Sequence, residues 1–196
     1  MKRVSITEQN QDEIHRLIKR IPFFSAVNTS SEEQFQQLLE LGEIVEAQAG
    51  DTVIRKGATD MYLYFLLKGQ LAVYLDDESS SSRINYISPG EVFGILSMIT
   101  HTPRSAMIKA DENAKSNLLY KLTFAYLNDD SAKSVLKLPT KLHFYRMAVH
   151  NIRWTLEQKK MADPKHPLVA NMLKLPIVKA PKDTVEELAA LKDQAK

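Results

Sequence analysis

The sequence predicts an α+β fold, mainly β, in which an antiparallel β-roll or jelly-roll barrel is flanked by amino-terminal helices and a long carboxyl-side helix. Three observations lead to this prediction. All six glycines fall between residues 42 and 94, short β-rich segments alternate with them up to residue 123, and helical patterns lie on either side. Because glycine punctuates the tight turns between short strands, we expect about seven or eight strands over residues 43–123.

The amino-terminal region, residues 1–42, is predicted to be helical. An amphipathic pattern begins at Glu8 and runs to Pro22, where proline interrupts it. A second pattern, SSEEQFQQLLELG, has a serine cap and an acidic first turn and ends at Gly42. The β-roll is expected over residues 43–127, with the polar residues 76–83 at the tip of a hairpin.

Two helices are predicted over residues 128–161. The first, SAKSVLKL, is expected to stop at Pro139. The second is expected to have Thr140 as its cap and to run for about six turns.

The tail, residues 162–196, carries four of the eight prolines and is expected to be mostly extended. It should contain one short helix near residues 168–174 and a terminal helix capped at Asp183 or Thr184. Its apolar residues predict that the tail docks on the domain and is not a solvated linker.

Composition limits the classes of function. A chain of 196 residues, 44% of them hydrophobic, is long enough for one domain with extensions. It has no run of 18 apolar residues and no apolar amino-terminal stretch, which predicts a cytoplasmic protein without a membrane partner. The absence of cysteine excludes disulfides, thiolate nucleophiles and cysteine zinc sites.

The same residues do not predict an enzyme. No nucleophile with a base, no pair of carboxylates and no cluster of metal ligands appears at a suitable spacing. We therefore expect no catalytic residue, no metal site and no cofactor. The net charge of +2 is too small to indicate nucleic acid as a partner.

The segment FGILSMITHTPRSAMIKA, residues 93–110, carries the candidate binding site. If Gly94 ends a strand and one helical turn follows, the start of that turn exposes backbone N–H groups that attract anions. Arg104 adds a planar cation able to hold two phosphate oxygens, and Ser105 adds a hydroxyl donor. On this segment alone, a surface arginine beside a simple turn is an equal alternative.

The order of features along residues 15–160 resembles the cyclic nucleotide-binding domain family, which includes bacterial catabolite activator proteins and cAMP-dependent protein kinase regulatory subunits. The resemblance rests on the strand lengths between four glycines and on the sequence TPRSA that follows them. It implies a cyclic nucleotide such as cAMP as the ligand. The four glycines are Gly57, Gly69, Gly90 and Gly94.

The resemblance also implies roles for single residues. Arg104 would pair with the cyclic phosphate and Ser105 and Ala106 would donate to it, while Gly94 and Leu96 would form the turn. The family's glutamate, which accepts the ribose 2′-hydroxyl, would stand at position 95, where this chain has Ile95. Losing a hydrogen bond to a charged group costs about 1.5–3 kcal/mol, which predicts roughly ten- to hundredfold weaker cAMP binding.

On the long helix, the resemblance places Trp154 and Thr155 where the helix folds over the purine base. The indole would stack on the base and the threonine hydroxyl would reach its edge. The alternative is that Trp154 packs in the core, as most tryptophans do.

The long helix also carries an apolar stripe that predicts a homodimer. Its 3-4-3-4 spacing is the seam of a two-stranded coiled coil, although the same stripe can pack on the barrel instead. The residues of this stripe are Leu142, Tyr145, Val149, Ile152 and Leu156.

Two functions are consistent with these observations. The first is a cytoplasmic receptor for a cAMP-like cyclic nucleotide, in which closure of the long helix over the ligand changes the binding of an effector protein. The alternative is a pseudo-receptor scaffold that binds no cyclic nucleotide and acts through protein contacts alone. A transcription factor is disfavoured, and no DNA partner is expected, because the proline-broken tail carries no basic recognition helix.

Overall fold

The computed structural model describes residues 1–75, 83–162 and 180–196, and it divides into two compact units, Met1–Val135 and Leu136–Lys196. The predicted hairpin tip at residues 76–82 and the predicted extended tail with its short helix at 168–174 lie outside the described residues. The prediction that this tail docks on the domain therefore stays a prediction.

The first unit begins with one short strand and three helices. The helical patterns at both ends of this region are confirmed, and Ser31 caps the last helix by accepting the N–H of Gln34 at 3.2 Å. The middle helix was not predicted, because Pro22 was interpreted as a stop although it occupies the first helical position, where its missing N–H has no cost. The elements are β1 (Lys2–Arg3), α1 (Gln11–Lys19), α2 (Pro22–Ser30) and α3 (Glu32–Leu41).

Within the described residues, eight strands and two short helices complete this unit, and the number of strands agrees with the seven or eight that the glycine pattern predicts. In chain order they are β2 (Glu43–Ala47), β3 (Thr52–Ile54), β4 (Tyr62–Lys68), β5 (Leu71–Tyr74), β6 (Arg83–Ile87), β7 (Val92–Phe93), α4 (Ile95–Ile99), β8 (Met107–Ala110), β9 (Asn117–Thr123) and α5 (Ala125–Asn128).

The strands form two antiparallel sheets. One sheet has the order β1-β2-β9-β4-β7 and the other has the order β3-β8-β5-β6. The predicted α+β, mainly β fold is confirmed. No strand pairing in the described residues joins the two sheets, so the predicted β-roll or jelly-roll barrel is a two-sheet sandwich and is not closed. The two-residue strand β7 pairs with β4 at the edge of the first sheet.

Strand β4 is buried on both of its faces. Tyr64 and Leu66 belong to the apolar cluster between the two sheets, to which all of β2 to β9 contribute. The ring of Phe65, on the opposite face, lies 4.9 Å from that of Phe24 and 6.0 Å from that of Tyr120. The side-chain period of two along a strand thus places one core inside the sandwich and a second, aromatic core under the helices.

Gly42 is required by the aromatic core. The hydroxyl of Tyr120 donates to the carbonyl of Leu38, which draws the ring across the end of α3. A Cβ added to Gly42 would overlap that ring. Gly42 has an extended backbone with φ −93°, so the requirement is steric and does not come from the dihedral angle.

Replacing Gly42 with alanine is expected to lower the free energy of unfolding by about 1–3 kcal/mol, as overpacking of a filled core does. Chemical denaturation of the variant measures this cost. In a Tyr120→Leu background the same substitution should cost much less, because the ring is gone. An equal cost in both backgrounds would show that the ring is not its source.

In its described residues, the second unit contains two helices, α6 (Leu138–Ala162) and α7 (Val185–Ala195). The predicted helix SAKSVLKL is wrong: residues 131–137 form turns. Pro139 lies in the first turn of α6, where proline is tolerated, so Thr140 lies inside the helix and is not its cap. The terminal helix is confirmed, with Thr184 accepting the N–H of Glu187 at 3.2 Å.

Part of the apolar stripe on α6 is buried within a single chain. Leu142, Tyr145 and Val149 are 1%, 2% and 6% exposed. Ile152 is half-buried, and the side chain of Leu156 lies outside the described atoms. In this conformation the first three positions are not free to pair with a second copy.

His143 is expected to make the second unit less stable as the pH falls below 6.5. Burial, with a smaller contribution from the nearby Arg146, lowers the pKa of His143 below its ordinary value. Below pH 6.5 the unfolded chain binds a proton that the folded chain does not. The full free energy of unfolding is therefore present above pH 6.5, and it decreases on acidification. Thermal unfolding between pH 5 and 8 measures the effect. His143→Gln should remove this pH dependence, whereas replacement of the exposed His150 should leave it in place.

Candidate functional site

The predicted strand, turn and helix are present at residues 92–99. Gly94 follows β7 with a left-handed backbone, φ +83°, and α4 begins at the next residue. Helix α4 buries Ile95 and leaves its neighbour Leu96 54% exposed. The chain then returns to the second sheet through TPRSA and enters β8 at Met107.

Arg104 is the central residue of the site and is only 4% exposed. Its Nη1 donates to the carbonyl of Gly94 at 2.7 Å and to Oγ of Ser97 at 2.9 Å. Its Nη2 donates to Oδ1 of Asp60 and to the carbonyl of Tyr62, both at 2.7 Å, and its Nε donates to Oδ2 of Asp60 at 3.5 Å. The alternative of a surface arginine is therefore wrong, and each of the five guanidinium N–H donors has a protein acceptor.

The backbone of Arg104 is held as firmly as its side chain. Its N–H donates to the carbonyl of Ala58, and its carbonyl accepts the N–H of Gly57, each at 2.8 Å. These bonds fasten the loop before β4 to the segment that leads into β8. The loop delivers Asp60 to the guanidinium.

Asp60 was not identified from the sequence. Its carboxylate is 32% exposed and forms an ion pair with Nη2 of Arg104. The available signal was a single acidic residue between the Gly57 turn and the first residue of β4. A buried arginine requires an anionic acceptor nearby, but the sequence alone did not show that Arg104 is buried.

Donors without a protein partner lie immediately after Arg104. Ser105 is exposed and Ala106 is half-buried. Within the described residues, the Ser105 hydroxyl and the N–H groups of Ser105 and Ala106 make no hydrogen bond. An anion beside Arg104 would find these three donors available.

Ile95 lies on the buried face of α4 and is 6% exposed, together with Met98 and Ile99. Position 95 therefore offers an apolar surface, and a charged side chain there would enter an apolar environment. The exposed position on the same turn is 96.

Trp154 and Thr155 lie on α6 in the second unit. Trp154 is 61% exposed, so the alternative of a core tryptophan is wrong. The hydroxyl of Thr155 donates to the carbonyl of Asn151 at 2.9 Å. Their predicted contact with a purine stays a prediction.

Two negative observations apply to the described part of the chain. It contains no group of three histidine, aspartate or glutamate side chains that could hold a metal ion. None of its helices has the length and apolar character needed to cross a membrane.

Replacing Gly94 with alanine is expected to lower the free energy of unfolding of the first unit. The loss should exceed the ~1–2 kcal/mol that a left-handed backbone costs a residue with a Cβ. The added Cβ would lie 2.7 Å from Nη1 of Arg104, so the guanidinium would also have to move. Gly90→Ala is the matched control, because Gly90 has φ +96° and nothing within 4 Å. Chemical denaturation of both variants measures their free energies of unfolding. Equal losses would show that the contact with Arg104 does not contribute to the cost.

Comparison with known sequences gives one family. The sequence profile of the cyclic nucleotide-binding domain matches residues 44–122. Among curated proteins, the cAMP-dependent protein kinase type II regulatory subunit of Drosophila melanogaster is 31% identical over 61 residues. That alignment covers 31% of this chain and 16% of the relative, so the chain spans only a small part of the relative's length.

Comparison with solved structures agrees on the fold. The regulatory domain of Toxoplasma gondii protein kinase A, crystallised with cAMP, has a TM-score of 0.53 at 20% identity, covering 76% of this chain and 52% of that one. The regulatory subunit of a cAMP-independent protein kinase A from Trypanosoma brucei has a TM-score of 0.52 at 19% identity, covering 71% of this chain and 46% of that one.

Proposed function

Because the chain belongs to the cyclic nucleotide-binding domain family through residues 44–122, we propose that it is a sensor that holds the phosphate of a cyclic nucleotide at residues 94–106. In this proposal Arg104, Ser105 and Ala106 provide the phosphate contacts, with Gly94 and Leu96 forming the turn. Binding changes the interaction with an effector protein. The Drosophila relative is a regulatory subunit, which supports a function in regulation and not in catalysis.

The observation that carries the proposal is the placement of three unpaired donors beside a buried arginine. A cyclic phosphodiester has one negative charge and two exposed oxygens. The Ser105 hydroxyl and the N–H groups of Ser105 and Ala106 are available to those oxygens without breaking any bond within the described residues. If a phosphate oxygen replaced one acceptor of Arg104, one charge-assisted bond would take the place of another.

Ile95 gives the proposed site its atypical character. A ribose hydroxyl placed against Ile95 would contact an apolar side chain where the family has a carboxylate. It would give up its hydrogen bonds to water without gaining a new one. We infer that the site binds the ribose weakly and that the phosphate contacts supply most of the affinity.

Ile95→Glu is expected to tighten cAMP binding by about tenfold or more, the effect of one restored hydrogen bond to a charged group. Isothermal titration calorimetry with cyclic mono- and dinucleotides is the measurement. Leu96→Glu is the matched control, because it adds the same charge on the same turn but on the exposed face, 54% exposed against 6%. It should not tighten binding. Circular dichroism checks that the buried glutamate has not unfolded the domain.

Two further variants test the phosphate contacts. Arg104→Ala should remove detectable binding, although it also removes a buried ion pair and must be checked for folding. Ser105→Ala leaves that pair intact and should weaken binding by roughly three- to tenfold, the cost of one hydrogen bond. If neither the native protein nor Ile95→Glu gives heat with any cyclic nucleotide, the sensor proposal is wrong.

A scaffold that binds no nucleotide is the second candidate, and the internal bonding of Arg104 favours it. All of its donors already have acceptors in the protein, and position 95 is apolar. The fold neighbour from Trypanosoma brucei is the regulatory subunit of a cAMP-independent protein kinase A, so a similar fold does not by itself imply dependence on cAMP. Absence of binding in the titration would support this candidate.

A further inference from the structure

One face of helix α1 consists of charged side chains. Residues 12, 15, 16, 19 and 20 follow the i, i+3, i+4, i+7, i+8 spacing of a single helix face. They line an open cavity of about 490 Å³ on the surface of the first unit. Arg20 follows the last residue of α1 with helical dihedral angles, φ −72° and ψ −19°, so the face continues to it. The lining residues are Asp12, His15, Arg16, Lys19 and Arg20.

The opposite face fixes α1 to the domain. Ile14 and Ile18 are 3% and 0% exposed. The ammonium of Lys19 also lies 5.0 Å from the centre of the Phe35 ring on α3. Arg16, Lys19 and Arg20 are exposed, and these three residues are called the basic face. A helix packed in this way holds the basic face in one orientation towards solvent.

The charges of the basic face are not neutralised by the protein. Within the described residues, Arg16 and Arg20 make no hydrogen bond and no ion pair. Asp12 has the i, i+4 spacing for an ion pair with Arg16, but the described atoms form none. Arg16 is instead three and four residues from two other cations, a spacing at which like charges destabilise a helix. The helix dipole favours a cation in the last turn, and these repulsions oppose it by a comparable amount.

We propose that the basic face of α1 docks a phosphorylated segment of a partner protein. A phosphoserine carries a charge of about −1.5 to −2 at pH 7 and three acceptor oxygens on one group. Each guanidinium can hold two of these oxygens, and the three cations lie within about one helical turn of each other. Clusters of arginine are a general means of recognising phosphorylated segments.

Other polyanions fit this surface less well. Asp12 and Glu13 place two carboxylates at the start of the same helix, where they repel an extended line or plane of negative charge. A lipid surface would also require exposed apolar side chains to insert, whereas Ile14 and Ile18 are buried. A single-stranded nucleic acid would require aromatic rings on which bases stack, and α1 has no Phe, Tyr or Trp.

Asp12 predicts a preference within the docked segment. The middle of the basic face lies about six residues beyond Asp12, or about 9 Å at the helical rise of about 1.5 Å per residue. An extended peptide covers this distance in about three residues. A lysine about three residues from the phosphoserine would therefore reach the carboxylate of Asp12 while the phosphate contacts the basic face.

Four short glycine–serine peptides test the proposal on the full chain. Two carry a phosphoserine, with a lysine three residues before it or three residues after it, and two carry unmodified serine instead. Titrations followed by ¹H–¹⁵N NMR should shift the amide signals of α1 with one of the phosphopeptides and with neither serine peptide. That phosphopeptide should bind more tightly than inorganic phosphate, because only the peptide reaches Asp12.

Matched variants locate the contacts. Arg16→Gln with Arg20→Gln should weaken phosphopeptide binding by about tenfold or more, through the loss of two charge-assisted pairs. Lys68→Gln with Lys115→Gln removes the same charge from two other exposed positions and should leave the affinity nearly unchanged. Asp12→Asn should make the two phosphopeptides bind alike. An unchanged preference between them would overturn the role of Asp12.

The remaining outcomes separate the docking site from the identity of its partner. If neither phosphopeptide shifts α1, or if the double arginine variant binds as the native protein does, the docking site is wrong. Binding no tighter than that of inorganic phosphate would overturn a protein segment as the ligand. Tighter binding of phosphatidylcholine vesicles containing phosphatidylserine, or of single-stranded DNA, through the same arginines would overturn the choice of partner. None of these measurements involves a cyclic nucleotide, so they do not depend on the proposed sensor.

Discussion

The buried guanidinium of Arg104 is the interaction on which the first unit depends. A charge that has lost its water must be surrounded by acceptors, or the fold loses several kcal/mol. Here the acceptors come from the loop before β4, the first residue of β4, the Gly94 turn and helix α4. One side chain thus fastens residues 60–62 to residues 94–97, two segments that are distant in sequence. The geometry of the candidate site follows from the need to provide acceptors for this guanidinium.

The same arrangement limits what a ligand can gain. A phosphate oxygen that reaches Arg104 exchanges with an acceptor that is already present, so the net gain is the difference between two charge-assisted bonds. The donors of Ser105 and Ala106 involve no such exchange. In the proposed site, a ligand would therefore form its new bonds with the exposed donors, while the arginine would supply position and charge. Ile95 would add no polar contact.

Features set by local chemistry were predictable from the sequence. The Ser31 and Thr184 caps, the glycine turns and the turn into α4 each follow from one residue type and its neighbours. Features set by tertiary contacts were not. Pro22 and Pro139 fit both the end and the start of a helix, and the choice depends on what the following segment packs against. The role of Asp60 can be recognised only once Arg104 is known to be buried. The heptad stripe showed an apolar helix face, but not that part of this face is buried within a single chain.

The ion cluster that joins α6 and α7 has a consequence for concentration. Arg146 on α6 pairs with Asp183 and Glu187 at the start of α7. A helix tethered to its own partner acts as though present at roughly millimolar concentration, whereas separate chains at micromolar levels meet about a thousandfold less often. Docking of α7 on α6 is therefore an equilibrium within one chain, and its position does not depend on the concentration of the protein.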